Sequence, residues 1–179
     1  SKSHEKLTPK EIIAVSSQVG ASKIALELGY EELKRNYYNF GFTKPISINF
    51  PSSAFGYMDI KEKVSDRELA SLGYGYGITI SPFQIASAYS VFANKGEYKD
   101  FKLLKDQMIT SRKIISDESA NNILDALEKV VKEGTGKAAE IQGFSEGGKT
   151  GTVHKIRKGS GYAEDLYRAS FIGIAPLSD

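Results

Sequence analysis

The chain contains no cysteine and only two histidines, His4 and His154. Without cysteine there are no thiol nucleophiles, cysteine-ligated zinc sites or iron–sulfur clusters, and two histidines far apart in sequence do not make a histidine-rich metal site. Neither a metal nor a cofactor is called for. No apolar run approaches the roughly 20 residues that span a bilayer. No charged-then-apolar signal opens the chain, so if the protein is exported its address label is expected outside these residues. Charge of one sign is also scarce. Lys+Arg at 24 against Asp+Glu at 22 leave a net charge of +2, too small and too dispersed for a nucleic-acid footprint. What is present is an ordinary globular composition: 179 residues, 40% hydrophobic and 26% charged, with a mean hydropathy of -0.31. A chain of this length buries roughly 70% of its unfolded surface and needs no disulfide or metal to hold a core. Length alone argues for one domain.

Helix-start signals recur along the chain. Thr8-Pro9-Lys10-Glu11 combines an N-cap threonine, a proline at the first helical position and a glutamate placed to close a capping box. A helix should begin at Pro9, with Ile12, Ile13 and Val15 as its apolar face. Ser16-Ser17-Gln18-Val19-Gly20 interrupts that pattern, residues 21–28 resume it, and Gly29 stops it. A third helix fits residues 31–40, ended by Gly41, and residues 44–56, which include Pro45 and Pro51, read as extended. Ser65-Asp66-Arg67-Glu68 and Ser81-Pro82-Phe83-Gln84 are two more capping boxes. Between them, the glycine-tyrosine alternation of residues 73–77 and then Ile78-Thr79-Ile80 suggest a turn and a short extended piece. Ile85, Tyr89 and Phe92 form one stripe on the helix after Ser81, which closes near Gly96. A further helix runs over residues 117–132, burying Ile123, Leu124, Leu127, Val130 and Val131.

Past Gly134 the character changes to strand. Residues 149–156 and 167–175 are rich in β-branched and aromatic side chains, and the polar stretch 157–165 between them predicts a hairpin with a long, mobile loop. Mostly helix followed by one hairpin gives an α+β class, and a lone hairpin makes a marginal sheet. The chain carries no internal repeat and no low-complexity tract.

Two motifs share one lysine. Gly143-Phe144-Ser145-Glu146-Gly147-Gly148-Lys149-Thr150 matches the phosphate-binding G-x-x-x-x-G-K-[ST] pattern letter for letter. That pattern works when a strand precedes the loop and a helix N-terminus follows it. Neither flank fits: residues 137–142 are not an apolar strand, and residues 151–156 read as strand. Nucleotide binding is therefore not expected. The second pattern, Lys149-Thr150-Gly151-Thr152 on a strand, is an element of penicillin-recognising enzymes. Alone it is weak, since its bland reading is a lysine on a solvated strand.

Its neighbours raise its specificity. The run from Leu72 to Ala86, the segment Ser16-Ser17-Gln18-Val19-Gly20, the segment Glu133-Gly134-Thr135-Gly136-Lys137-Ala138-Ala139 and the stretch from Tyr167 to Pro176 resemble, in order, segments of the class B penicillin-binding proteins. These are monofunctional peptidoglycan transpeptidases, and the likeness is to the septal, cell-division member. The resemblance covers nearly the whole chain. It implies the transpeptidase fold shared with serine β-lactamases, a five-stranded antiparallel sheet packed between helices. Residues 1–179 would form a partial transpeptidase domain, with residues 1–133 mainly helical and residues 134–179 carrying the Lys-Thr-Gly-Thr hairpin.

The resemblance also implies roles. The family's serine attacks the carbonyl between two D-alanines of a stem peptide, and β-lactams acylate the same serine. Ser16 would relay a proton to the leaving amine and Lys149 would place a fixed positive charge beside that relay. Gln18, Thr150 and Thr152 would bind substrate, and Gly151 would let the peptide lie against the strand. The Thr152 amide would be one oxyanion donor. Gln18 departs from the family's asparagine and carries its carboxamide one methylene further out. The larger departure is the nucleophile. Ser3-His4-Glu5-Lys6 fits the letters of the S-x-x-K motif but is followed at once by Leu7-Thr8-Pro9, which starts a new helix, so residues 1–179 alone are expected to be inactive. His154 reads as a hairpin surface histidine, and Tyr74 and Tyr76 as plugs beneath the catalytic floor. The implied partners are stem peptides ending in D-Ala-D-Ala, β-lactam antibiotics and division-complex proteins, with no nucleic acid or nucleotide. The implied place is the outer face of the bacterial inner membrane, held by an anchor outside these residues. The competing class is a catalytically inactive recognition or division-complex interaction module, for which Gln18 is the encouraging feature.

Overall fold

Thr8 accepts from the Glu11 amide, the Glu11 carboxylate accepts from the Thr8 amide at 2.8 Å, and Pro9 needs no N–H partner. Helix α1, Pro9–Ala14, follows from that box. The computed structural model describes residues 6–44, 56–157 and 161–177, so Ser3-His4-Glu5 and nearly all of the extended stretch expected over 44–56 lie outside the described residues. The same device opens α4, Asp66–Leu72, at Ser65 and α5, Pro82–Ala93, at Ser81. Helix α3 spans Tyr30–Asn39, and α6 spans Asp117–Lys132 with Ser116 as its cap. Acidic Asp117 and Glu118 at the start of α6 and basic Lys129 and Lys132 at its end suit the helix dipole.

Helix α2, Gln18–Leu28, begins three residues earlier than the apolar pattern predicts. The small polar residues that looked like an interruption are its cap: the Ser17 hydroxyl accepts from the Gly20 amide at 3.2 Å. Helix α5 also differs. Its fully buried positions are Gln84, Ser87, Ala88 and Val91, while Ile85, Tyr89 and Phe92 are half-buried. Small side chains on that face let α5 pack closely against its neighbours, and the larger ones fill the flanks.

Three two-stranded antiparallel sheets occur among the described residues, where the sequence suggested one hairpin. Strands β1, Tyr57–Met58, and β2, Ile78–Thr79, pair briefly, as do β3, Glu97–Lys99, and β4, Ser111–Lys113. Strands β5, Gly147–Arg157, and β6, Gly161–Ile174, form the long hairpin. It runs further than expected, with Arg157 paired to Gly161 inside the stretch assigned to a loop. Strand pairing joins backbone amides to carbonyls whatever the side chains are, so polarity misjudged the strand ends.

Helix α6 is the hub, touching α1, α5 and β5. Val91 of α5 and Val130 and Val131 of α6 have no exposed surface, each contributing roughly 1.5–3 kcal/mol relative to exposure. Gly147 lets β5 close on α6: a Cβ there would lie 3.0 Å from the Leu127 carbonyl carbon and the Glu128 nitrogen. Any side chain would push away the strand that carries Lys149. Among the described residues no helix is long and apolar enough to cross a membrane.

Candidate active site

Three segments far apart in sequence meet at the end of α6. Ser16 lies in the turn between α1 and α2 at φ 55, a left-handed conformation that few residues other than glycine adopt without cost. The turn holds it there through two amide bonds: Ser16 N to Ile13 O at 3.2 Å and Ser17 N to Ile12 O at 2.9 Å. Strain kept by surrounding bonds and spent on aiming a hydroxyl is a common signature of a working site. Strand β5 brings Lys149, whose ammonium donates to the Ser16 hydroxyl at 2.5 Å and to the Thr150 carbonyl at 3.0 Å.

Partial burial lowers the Lys149 pKa from its ordinary value. A depressed lysine gives up its proton more readily, which suits exchange with a neighbouring hydroxyl. For stability the sign is equally clear. Between the lowered folded value and the ordinary one the unfolded chain binds more protons, so this group's contribution rises with pH and is unfavourable at neutrality.

The other sequence-predicted residues divide. Thr150 belongs to the cluster, with its hydroxyl 2.8 Å from that of Thr135. Thr152 is exposed two residues further along β5 on the same face and pairs with Ala169. Gly151 pairs with Ser170, and a Cβ there would lie 2.8 Å from the Ser170 hydroxyl oxygen. Gln18 is the first residue of α2 and is exposed, one turn away from the lysine contact. His154 pairs with Tyr167, their rings 4.5 Å apart, and is not part of the cluster. Tyr74 and Tyr76 meet edge-on in the turn after α4, centroids 5.5 Å apart. The phosphate-loop reading fails on local geometry, because Lys149 and Thr150 lie inside β5 and, among the described residues, no helix follows them.

One residue was not singled out in the sequence. The Thr135 hydroxyl lies 3.5 Å from Ser16 and 2.8 Å from Thr150. The glycines on either side of it were the available signal. A Cβ on Gly134 would sit 2.4 Å from the Ala14 carbonyl oxygen, so only glycine lets this turn close against the end of α1.

Known proteins resemble this chain along nearly its whole length. The family model described as the penicillin-binding protein transpeptidase domain matches residues 1–179. The peptidoglycan D,D-transpeptidase FtsI of Buchnera aphidicola is 35% identical over 178 residues, spanning 98% of this chain and 31% of that protein. Stage V sporulation protein D of Bacillus subtilis is 33% identical over 189 residues, spanning 98% and 29%. The chain thus spans under a third of these relatives. Among solved structures, the transpeptidase domain of Burkholderia pseudomallei penicillin-binding protein 3 matches with a TM-score of 0.87 at 36% identity, over 96% of this chain and 53% of that one. Penicillin-binding protein 3 of Mycobacterium tuberculosis, solved with aztreonam, matches with a TM-score of 0.84 at 26% identity, over 95% and 42%. With its α+β architecture and its lysine-threonine-glycine strand set against a strained serine, the chain belongs to the penicillin-binding protein transpeptidase family.

Proposed function

We propose that these residues are part of a peptidoglycan D,D-transpeptidase that cross-links stem peptides during septal wall synthesis and is acylated by β-lactams. The observation that carries this reading is the 2.5 Å contact between Lys149 and Ser16, two motif residues separated by 133 positions. In the intact enzyme a serine supplied from outside the described residues, its proton taken by a base supplied with it, attacks the carbonyl between two D-alanines, and the bond to the terminal D-alanine nitrogen breaks. Ser16 passes a proton to the departing D-alanine nitrogen and is resupplied through Lys149. Thr150 and Thr152 hold the substrate carboxylate, Gly151 leaves room for the peptide to add beside β5, and the Thr152 amide faces the developing oxyanion. Gln18 supplies a carboxamide to the peptide.

Residues 1–179 are on this reading a partial transpeptidase domain, with a mainly helical part over 1–133 and the hairpin part over 134–179. An anchor elsewhere in the protein places the domain outside the inner membrane, where division-complex proteins bind it. Fluorescent penicillin followed by denaturing electrophoresis tests the proposal. The intact protein should label, residues 1–179 alone should not, and Lys149→Ala in the intact protein should lower the labelling rate by roughly a thousandfold. Failure of the intact protein to label would favour a recognition module without catalysis.

A further inference from the structure

The connection between β3 and β4 is built inside out. Its polar groups bond to one another: the Asp100 amide donates to the Thr110 carbonyl at 3.2 Å and the Thr110 hydroxyl to the Asp100 carboxylate. The Gln107 amide donates to the Leu104 carbonyl at 3.1 Å, and the Leu103 amide donates to the Gln107 side-chain oxygen at 3.1 Å. Its apolar side chains face water. Leu103 is 53% exposed, Leu104 72% and Met108 94%. Ile109 is exposed as well, and Phe83 extends the patch, edge-on to Phe101 with centroids 5.6 Å apart. A loop that spends its polar groups on itself and turns its leucines outward marks a contact surface.

Positive charge gathers on the same hairpin. Residues 97–113 hold five lysines and arginines against three acidic residues, which accounts for the chain's net +2 and leaves the rest neutral in sum. Arg112 is fixed, its guanidinium 4.6 Å from the Tyr98 ring and donating to the Asn39 carbonyl at 2.7 Å. Lys99 and Lys113 face Glu97 and Asp117. Lys102 and Lys105, on either side of the two leucines, are exposed and make no ion pair among the described residues, and Asp106 is the one acid between Phe101 and Ile109.

Those two lysines decide what covers the patch. Lysine is depleted at the buried centre of protein interfaces. On an anionic bilayer its stem lies along the acyl boundary with the ammonium among the headgroups, while leucine and methionine enter below. We infer that the tip of the β3–β4 hairpin, residues 101–109, docks on an anionic phospholipid surface. The inference rests on the transpeptidase reading for the membrane beside the domain, and its test separates the two.

The intact protein, freed of any other cysteine, carries Met108→Cys labelled with an environment-sensitive fluorophore. It is reconstituted into phosphatidylcholine vesicles with and without phosphatidylglycerol. Emission should shift to the blue and be quenched by nitroxide-labelled acyl chains where phosphatidylglycerol is present, and high salt should weaken both effects. Lys102→Gln and Lys105→Gln should each lower the ratio of inserted to free probe by roughly fivefold. Leu103→Ser combined with Leu104→Ser should remove the quenching, and the same fluorophore at Lys23→Cys on α2 should show none. Absence of quenching with phosphatidylglycerol overturns the inference, as does equal quenching without it or at Lys23→Cys. A shift that appears only on adding a division-complex protein overturns it in favour of a protein partner. Fluorescent penicillin applied to the same vesicles reports on the transpeptidase reading: quenching without labelling would sink that reading and leave the lipid contact standing.

Discussion

Two helix starts in this chain use nearly the same residues for opposite ends. At α5, Ser81 caps the helix and Gln84 follows three positions later, 1% exposed, with its polar atoms committed. The Gln84 side-chain oxygen accepts from the Gly56 amide at 2.6 Å and the Ser81 amide at 3.0 Å, and its nitrogen donates to the carbonyls of Gly41 at 3.2 Å and Lys44 at 3.0 Å. At α2, Ser17 caps the helix in the same manner, but Ser16 before it and Gln18 after it are exposed. A polar group whose bonds are all taken by backbone holds chains together. One presented at a strained turn beside a half-buried lysine is available for chemistry. Residue type and local motif do not distinguish the two; the number of remaining partners does.

Substitutions at each start sharpen the contrast. The largest effect is expected at Ser16. Replacing it with glycine in the intact protein should cut penicillin acylation by roughly a thousandfold while raising stability by about 0.5 kcal/mol, since glycine adopts φ 55 without strain. A stability loss on urea denaturation would show that the serine is structural after all, like Ser81. Next comes Gln84→Ala, which leaves buried groups on three segments unpaired and should cost about 3 kcal/mol by urea denaturation. A change below about 1 kcal/mol, the scale of a single net hydrogen bond, would mean those segments find other partners.

The smallest effect is at the α4 start, where the cap is exposed. Glu68 is held down to about 2 by the Lys61 ammonium first, then by the Ser65 amide and hydroxyl. A carboxylate depressed in the folded state stabilises fully above its ordinary value, and that contribution fades as pH falls through about 2. Carbon-13 NMR titration should find the midpoint there, and Lys61→Met should move it part of the way back. A midpoint unmoved by Lys61→Met would assign the shift to the cap alone.

The legible features share a short range. Thr8, Ser65 and Ser81 announced their helices because each capping box closes within four residues. Helix α6 was read to its bounds for the same reason, through its apolar repeat. The start of α2 was misplaced because Ser17 and Gly20 look like loop residues until the cap bond is seen. The β1–β2 and β3–β4 pairs are two and three residues long, too short to show any alternation. Thr135 went unnoticed because its meaning lies in two hydroxyls, 119 and 15 positions away.

The sequence by itself determined the helix caps, the strand that carries Lys149 and the order of segments that marks the family, all properties of neighbours along the chain. The tertiary structure alone decided that the Thr135 hydroxyl joins those of Ser16 and Thr150, because the close approach of α1, the end of α6 and β5 depends on long-range burial and on glycines that no side chain could replace. It also decided that Gln84 is consumed and Gln18 is not. Whether a polar group is satisfied is a property of space around it, and space is set only when the core has closed.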